Sequence, residues 1–251
     1  MTESFLDIDG ISHGYSDGEG GIFDISFSMA RGEFVVLAGR NGSGKTTFIR
    51  HLNGLLKPDK GRIRLHGNDI FKDIIRTRQT VGMVFQDADT QIVGETIFDE
   101  VAFGPENLGW PRRRIDEKVA ETLNRLDLLR FRDRHPATLS GGEKRRLTIA
   151  GILVMDPELI VFDEPFANLD FPATQDLIRQ IKAIHREGKT ILMATHDVDM
   201  VIEHADRLMI MAEGKIAAQG PAGKLAPELG RFGLKPWCAC RKIQESDQWP
   251  A

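Results

Sequence analysis

Residues 39–46, Gly39-Arg40-Asn41-Gly42-Ser43-Gly44-Lys45-Thr46, follow the spacing G-x-x-x-x-G-K-[ST]. Each residue type suits one part of a polyphosphate. The glycines let the backbone approach an anion with no Cβ in the way. Lys45 is a point charge for the β- and γ-phosphates, and the Thr46 hydroxyl is a ligand for Mg²⁺. Further along stands Asp163-Glu164-Pro165. A carboxylate at Asp163 suits Mg²⁺, commonly through water, and Glu164 suits a general base acting on a water at the γ-phosphate. His196 can hydrogen-bond that phosphate and water, and Gln86 can reach both metal and phosphate. Read alone, these are an ordinary strand–helix turn, a polar strand end, a structural histidine and a solvated glutamine. Their joint occurrence argues for chemistry.

Such side chains converge only if the right elements carry them. Phe34–Ala38 is a short apolar run that reads as a buried strand leading into the loop. After the loop, Phe48, Leu52, Leu55 and Leu56 recur at helical spacing up to the breaker Lys57–Gly61. A strand, a glycine loop and a helix N-terminus aim backbone N–H groups and the positive end of the helix dipole at one point. Val81–Phe85, Leu159–Phe162 and Thr190–Ala194 read as further apolar strands, with Gln86, Asp163-Glu164 and His196 just past their carboxyl ends. Ligands of α/β sheets bind beyond those ends. Strand alternation predicts that Glu164 points away from Asp163.

Leu139-Ser140-Gly141-Gly142-Glu143 supplies a second anion-seeking tip. Ser140 and Glu143 form a capping box that opens a helix through Leu147, Ala150 and Leu153. The bland account is a well-capped helix. Gly141 and Gly142, poor helix formers, leave the first-turn N–H groups open to an anion. Tyr15, the single tyrosine, precedes the loop Ser16–Gly21 and offers a face on which an adenine can stack, or is an ordinary strand residue. Phe5–Ile8, Ile25–Met29 and Arg62–His66 read as strands, and Gly67-Asn68 as a turn. Residues 87–157 read as helical, with a helix over Ile115–Leu129. Asn168–Asp170 lies in a loop closed by Pro172 before a helix over Ala173–Glu187. Residues 206–220 read as a hairpin turning at 212–215, and Leu225, Leu229, Phe232 and Leu234 as a short packed helix.

The chain of 251 residues suits one large α/β domain with a subdomain. Its net charge of −4 argues against nucleic acid as main partner. No apolar run approaches the ~20 residues of a membrane span. Met1-Thr2-Glu3-Ser4 lacks a signal-peptide core, so the chain is expected in the cytosol, free to dock on a membrane protein. Arg112-Arg113-Arg114 reads first as a solvated face and second as a contact for a partner or lipid headgroups. Cys238 and Cys240 read as reduced thiols rather than a metal site.

The order Tyr15, loop 39–46, Gln86, Leu139–Glu143, Asp163-Glu164, Asn168–Asp170 and His196 resembles the ATP-binding subunit of an ABC transporter over nearly the whole chain. A phosphate loop alone also fits kinases, GTPases and motor proteins. The Leu-Ser-Gly-Gly-Glu signature before the Asp-Glu pair is far more restrictive. Val84–Ile97, continued by Asp99–Gly109, is similar to the energy-coupling-factor class of importers, which includes cobalt, nickel and vitamin uptake systems. Glu143 stands where Gln is frequent, and Phe166 and Phe171 flank a loop where smaller or more polar residues are commoner.

The resemblance implies an α/β P-loop NTPase (RecA-like) core with an N-terminal antiparallel β subdomain and a helical signature subdomain. Residues 1–240 would form the ATPase domain, about 87–157 its helical subdomain, and 241–251 a polar tail. It implies ATP and Mg²⁺ as cofactors. The nucleotide would contact Tyr15, Gly39, Arg40, Asn41, Gly42, Ser43, Gly44, Lys45, Thr46 and Thr47. Thr46, Gln86 and Asp163 would surround the metal. Glu164, His196, Lys45 and Gln86 would carry catalysis. Ser140 and Gly142 would touch the γ-phosphate held by a second ATPase subunit, identical or paralogous, with Asp170 at the seam. Residues 87–109 would line a groove for a transmembrane coupling subunit. A membrane substrate-binding subunit would select cargo, and the chain would sit on the cytoplasmic face of the cell membrane. The competing readings are a soluble ABC ATPase of translation or DNA repair, usually with two cassettes or a coiled-coil insert, and a small-molecule kinase, which has no use for the signature.

Overall fold

The computed structural model describes residues 4–15, 20–235 and 237. The two cysteines, the polar tail and most of the loop after Tyr15 lie outside the described residues. In chain order the elements are β1 (Leu6–Gly14), β2 (Gly21–Met29), β3 (Phe34–Gly39), α1 (Lys45–Leu52), β4 (Lys60–Leu65), β5 (Asn68–Asp69), α2 (Ile74–Thr80), β6 (Val81–Val84), α3 (Ala88–Gln91), α4 (Ile97–Asn107), α5 (Arg112–Arg125), α6 (Gly141–Leu153), β7 (Leu159–Asp163), α7 (Phe171–Arg186), β8 (Thr190–Thr195), β9 (Arg207–Ala212), β10 (Lys215–Pro221) and α8 (Ala222–Leu225).

The strands form two sheets, one ordered β2-β1-β4-β5 and a six-stranded one ordered β10-β9-β3-β8-β7-β6. The first is antiparallel. In the second, β9, β3, β8, β7 and β6 run parallel and β10 closes the edge antiparallel. Every residue of β3, β7 and β8 is buried, because both faces of this sheet are covered. Alternation divides each strand between two cores. Val36, Phe162, Ile191, Met193 and Ile210 pack with residues of α4, α5, α6 and α7. Val35, Leu37, Val161, Leu192 and Met209 pack with β1, β2 and α1. The site-bearing strands are therefore clamped from both sides.

The register fixes where the loops emerge. Ala38 pairs with Thr195, and Asp163 pairs with Ala194. The turns after β3, β7 and β8 leave the sheet side by side at one level.

Several boundaries differ from the sequence reading. α1 stops at Leu52 rather than running to Leu56. Asn53 caps it, Gly54 adopts φ 67°, and Leu55 is exposed. Between the Gly67-Asn68 turn and β6 the sequence reading assigns no helix, yet the chain forms α2 there, whose one buried residue is Thr77 and whose cap is the Asp73 side chain. β6 ends at Val84, so Gln86 stands two residues past its strand. The helix expected over 115–129 spans Arg112–Arg125 and takes the arginine run into its first turn. There Arg112 pairs with Glu106 and Asp116, Arg113 pairs with Glu117, and Arg114 stacks on Trp110. These partners offset cations placed at the positive end of a helix dipole. α7 begins at Phe171, with Pro172 in its first turn rather than in the loop. The 206–220 hairpin forms as expected, with Glu213 and Gly214 both at positive φ in its turn. The final packed segment is a 3₁₀ helix over Ala226–Phe232, and Leu229 is fully buried.

Phe162 is fully buried in the core under the signature helix. Phe162→Ala is expected to cost about 3–5 kcal/mol of stability, read from urea denaturation midpoints. A cost below about 1 kcal/mol would contradict this packing.

Candidate functional site

The turn after β3 is built for close approach. Gly42 and Gly44 take φ 79° and 100°, and a Cβ on Gly42 would meet nothing within 4 Å. Ser43 N–H donates to Arg40 O at 3.1 Å, tightening the loop. Gly44 caps α1 with no side chain, and the first turn of α1 has no acidic residue. The positive end of that helix is thus left for an external anion. The buried Ser43 Oγ has no hydrogen-bond partner among the described residues, as expected of a loop that awaits a ligand.

Lys45 is 6% exposed. Its Nζ donates to Gly39 O at 2.7 Å and Arg40 O at 3.3 Å, and lies 3.4 Å from Glu164 Oε1. The other Glu164 oxygen accepts from His196 N–H at 3.2 Å and lies 2.9 Å from His196 Nδ1. One carboxylate therefore bridges the phosphate-loop lysine and the residue that follows β8. Glu164 is not aimed by strand alternation, because β7 ends at Asp163. It takes φ 43° in the left-handed region, its N–H bound to Ala194 O at 2.8 Å, and this turns its side chain into the cleft.

Thr46 Oγ1 donates to Asp163 Oδ1 at 3.2 Å. Burial pushes the Asp163 carboxyl above the usual range, the Thr46 hydrogen bond opposes this, and neighbouring Glu164 adds to it. No cluster of three or more His, Cys, Asp or Glu able to hold a metal occurs among the described residues. An alcohol beside one buried carboxylate instead fits a hard cation that takes most of its oxygens from phosphate and water.

A cavity of about 400 Å³ is lined by Tyr15, Asn41–Thr47, Gln86, Glu164 and His196, together with Gly20 and Gly21. Tyr15 is 40% exposed, and its hydroxyl lies 3.0 Å from Thr47 Oγ1. Arg40 turns away, its side chain packed against Gly233. The sequence reading did not single out Gly20, Gly21 or the Lys45–Glu164 pair. The glycine pair was legible as a turn, but its approach to the phosphate loop depends on sheet pairing.

The other sequence-selected residues stand elsewhere. Ser140 and Glu143 make the expected capping box, with both Ser140 N–H and Oγ–H donating to Glu143 Oε2 at 2.8 Å. Gly142 faces α7, where a Cβ would sit 3.0 Å from Ala173 Cβ. Asp170 caps α7 by accepting from Ala173 N–H at 2.9 Å. Among the described residues, those lining the cavity do not include Ser140, Gly142 or Asp170.

This fold and cleft define a P-loop nucleotide-binding domain. The profile of the ABC transporter family matches residues 22–167. A Halobacterium salinarum protein named as an ABC transporter ATP-binding protein is 42% identical over 231 residues, covering 92% of this chain and 99% of its own length. The energy-coupling factor transporter ATP-binding protein EcfA of Methanocaldococcus jannaschii is 42% identical over 209 residues, or 82% of this chain and 75% of that protein. Among solved structures, cbiO1 of Clostridium perfringens, part of the ABC transporter complex cbiONQ, superposes with TM-score 0.80 at 33% identity, covering 92% of this chain and 98% of the other. The chain belongs to the ABC transporter family as an ATP-binding subunit, and its activity is ATP hydrolysis coupled to transport.

The raised Asp163 carboxyl carries a stability consequence. A carboxyl lifted in the folded state favours folding when protonated, and that contribution is lost as pH rises through its folded pKa. Asp163→Asn, which cannot ionise, is therefore expected to stabilise the nucleotide-free chain at pH 8 by on the order of 1 kcal/mol, the gain vanishing in acid. Thermal unfolding across pH checks this, and a gain that grows as pH falls would contradict it.

Proposed function

We propose that this chain is the ATPase of an energy-coupling-factor importer. It would work as one half of a dimer, identical or paralogous, on the cytoplasmic face of the cell membrane, and power uptake of a cobalt or nickel ion or a vitamin. The supporting observation is the division of labour within one chain. The cavity gathers Lys45, Thr46, Gln86, Glu164 and His196, while the signature tip at Ser140–Gly142 stands outside it. Phosphoryl transfer needs donors on the developing charge. A tip that stands outside the phosphate-loop cavity of its own chain has its natural use at a partner's nucleotide.

On this reading ATP is the substrate, its adenine on Tyr15 and its phosphates along Gly39–Thr47. Mg²⁺ would be held by Thr46, Gln86 and Asp163, and would neutralise charge on the phosphates. Lys45 exchanges the carbonyls of Gly39 and Arg40 and the carboxylate of Glu164 for phosphate oxygens. Glu164, freed from Lys45 and still held by His196, takes a proton from water as the oxygen bonds to the γ-phosphorus and the bond to ADP breaks. His196 holds the carboxylate and the γ-phosphate. Ser140 and Gly142 of the partner complete the donor set, with Asp170 at the seam. ATP joins the halves and hydrolysis parts them. The movement reaches a transmembrane coupling subunit through the helical subdomain, about 87–157, and cargo is chosen by a separate membrane subunit. Among the described residues no helix is long and apolar enough to cross a membrane. The kinase reading leaves the capped Gly-Gly tip without a role.

Glu164→Gln is expected to keep ATP binding, lower turnover about 10²–10⁴-fold and accumulate an ATP-dependent dimer in analytical ultracentrifugation. Rapid turnover by this variant would remove Glu164 as the base.

A further inference from the structure

Arg145 lies within the signature helix α6, six residues from the start of that motif, yet it is 3% exposed. Its guanidinium reaches across to the turn after β6. Nη1 donates to Phe85 O at 2.6 Å and Nη2 donates to Gln86 O at 2.6 Å. Nε is buried with no partner among the described residues. Burial lowers the pKa of this side chain, and the nearby Asp87 carboxylate opposes that. A buried guanidinium spent on two consecutive main-chain carbonyls is a costly way to join two elements, since an apolar pair would avoid the desolvation. What it provides is a planar fork that fixes both distance and orientation.

The surrounding contacts strengthen the same joint. Lys144, the residue before, pairs with Asp89 at 2.5 Å. The Gln91 side chain accepts from Phe85 N–H at 2.9 Å and donates to Met83 O at 3.2 Å. The Gln86 turn is thus held to α6 on one side and to the end of β6 on the other. Gln86 lines the nucleotide cavity, while Ser140 and Gly142 stand at the N-terminus of α6, about one turn before Arg145.

We propose that Arg145 is a positioning residue that locks the Gln86 turn to the signature helix, so that a nucleotide sensed by Gln86 reorients the Ser140–Gly142 tip offered to the partner. The link makes each chain report the state of its own site to the neighbouring one. This consequence rests on the shared-site reading proposed above, whereas the link itself is a property of one chain.

The test separates the two. Hydrogen exchange is followed in the Ser140→Arg monomer with and without ATP and Mg²⁺, and again after adding Arg145→Lys or Arg145→Gln. Lysine retains the charge but cannot span both carbonyls, and glutamine removes the charge. With Arg145 present, ATP is expected to alter protection of residues 85–91 and 141–146 together. With either replacement the change is confined to 85–91. In the Glu164→Gln chain, the same replacements raise the ATP concentration needed for dimerisation about tenfold. Undiminished joint protection in a folded Arg145→Lys chain overturns the proposal. A Glu164→Gln chain that never dimerises overturns the shared-site reading instead, and the monomer exchange still decides the role of Arg145. If Arg145→Gln fails to fold, Arg145→Lys carries the test.

Discussion

The structure depends on holding a buried ammonium and two buried carboxylates at the carboxyl ends of the central parallel strands β3, β8 and β7. Lys45, Asp163 and Glu164 are all nearly inaccessible, and each would be expensive to bury alone. The expense is met by geometry. Lys45 finds carbonyls of its own loop and the Glu164 carboxylate, Glu164 finds His196, and Asp163 finds Thr46. These pairings exist because β3, β7 and β8 are neighbours in register, clamped by a core on each face. Loosening the sheet would part the charges.

The same pairings leave the site poised rather than inert. The Lys45 contacts are the kind a phosphate can replace, and Asp163 is a carboxyl whose elevated pKa a cation would reverse. Tyr15 and Thr47 share a hydroxyl contact at the rim. The helices between β6 and β7 pack on one face of this rigid centre. Arg145 adds a polar link from α6 to the Gln86 turn, between the cleft and the signature tip.

Much of this was legible in the residues. The phosphate loop, the Asp-Glu strand end and the capping box each have a local signature, and each of these features forms in the fold. The apolar runs 34–38, 159–162 and 190–194 announced strands buried on both faces. What failed to show were features set by tertiary contact. Asn53-Gly54 ended α1 early although Leu55 and Leu56 kept the helical period. α2 buries only Thr77, so periodicity had nothing to reveal. Glu164 faces the cleft through a left-handed backbone, which no alternation rule predicts. Arg145 sits in the run Lys144-Arg145-Arg146, to which the residues alone assigned no role. Its one local sign was Ile149, one turn on and fully buried.

The central claim is that a nucleotide is completed by donors from another chain. Mixing two defective chains tests it most directly. A Lys45→Ala chain retains the signature tip, and a Ser140→Arg chain retains the phosphate loop. Steady-state ATP hydrolysis should be near background for each alone and reappear on mixing, because one intact composite site forms. Unimpaired hydrolysis by the Ser140→Arg chain alone, with no gain on mixing, would contradict the account.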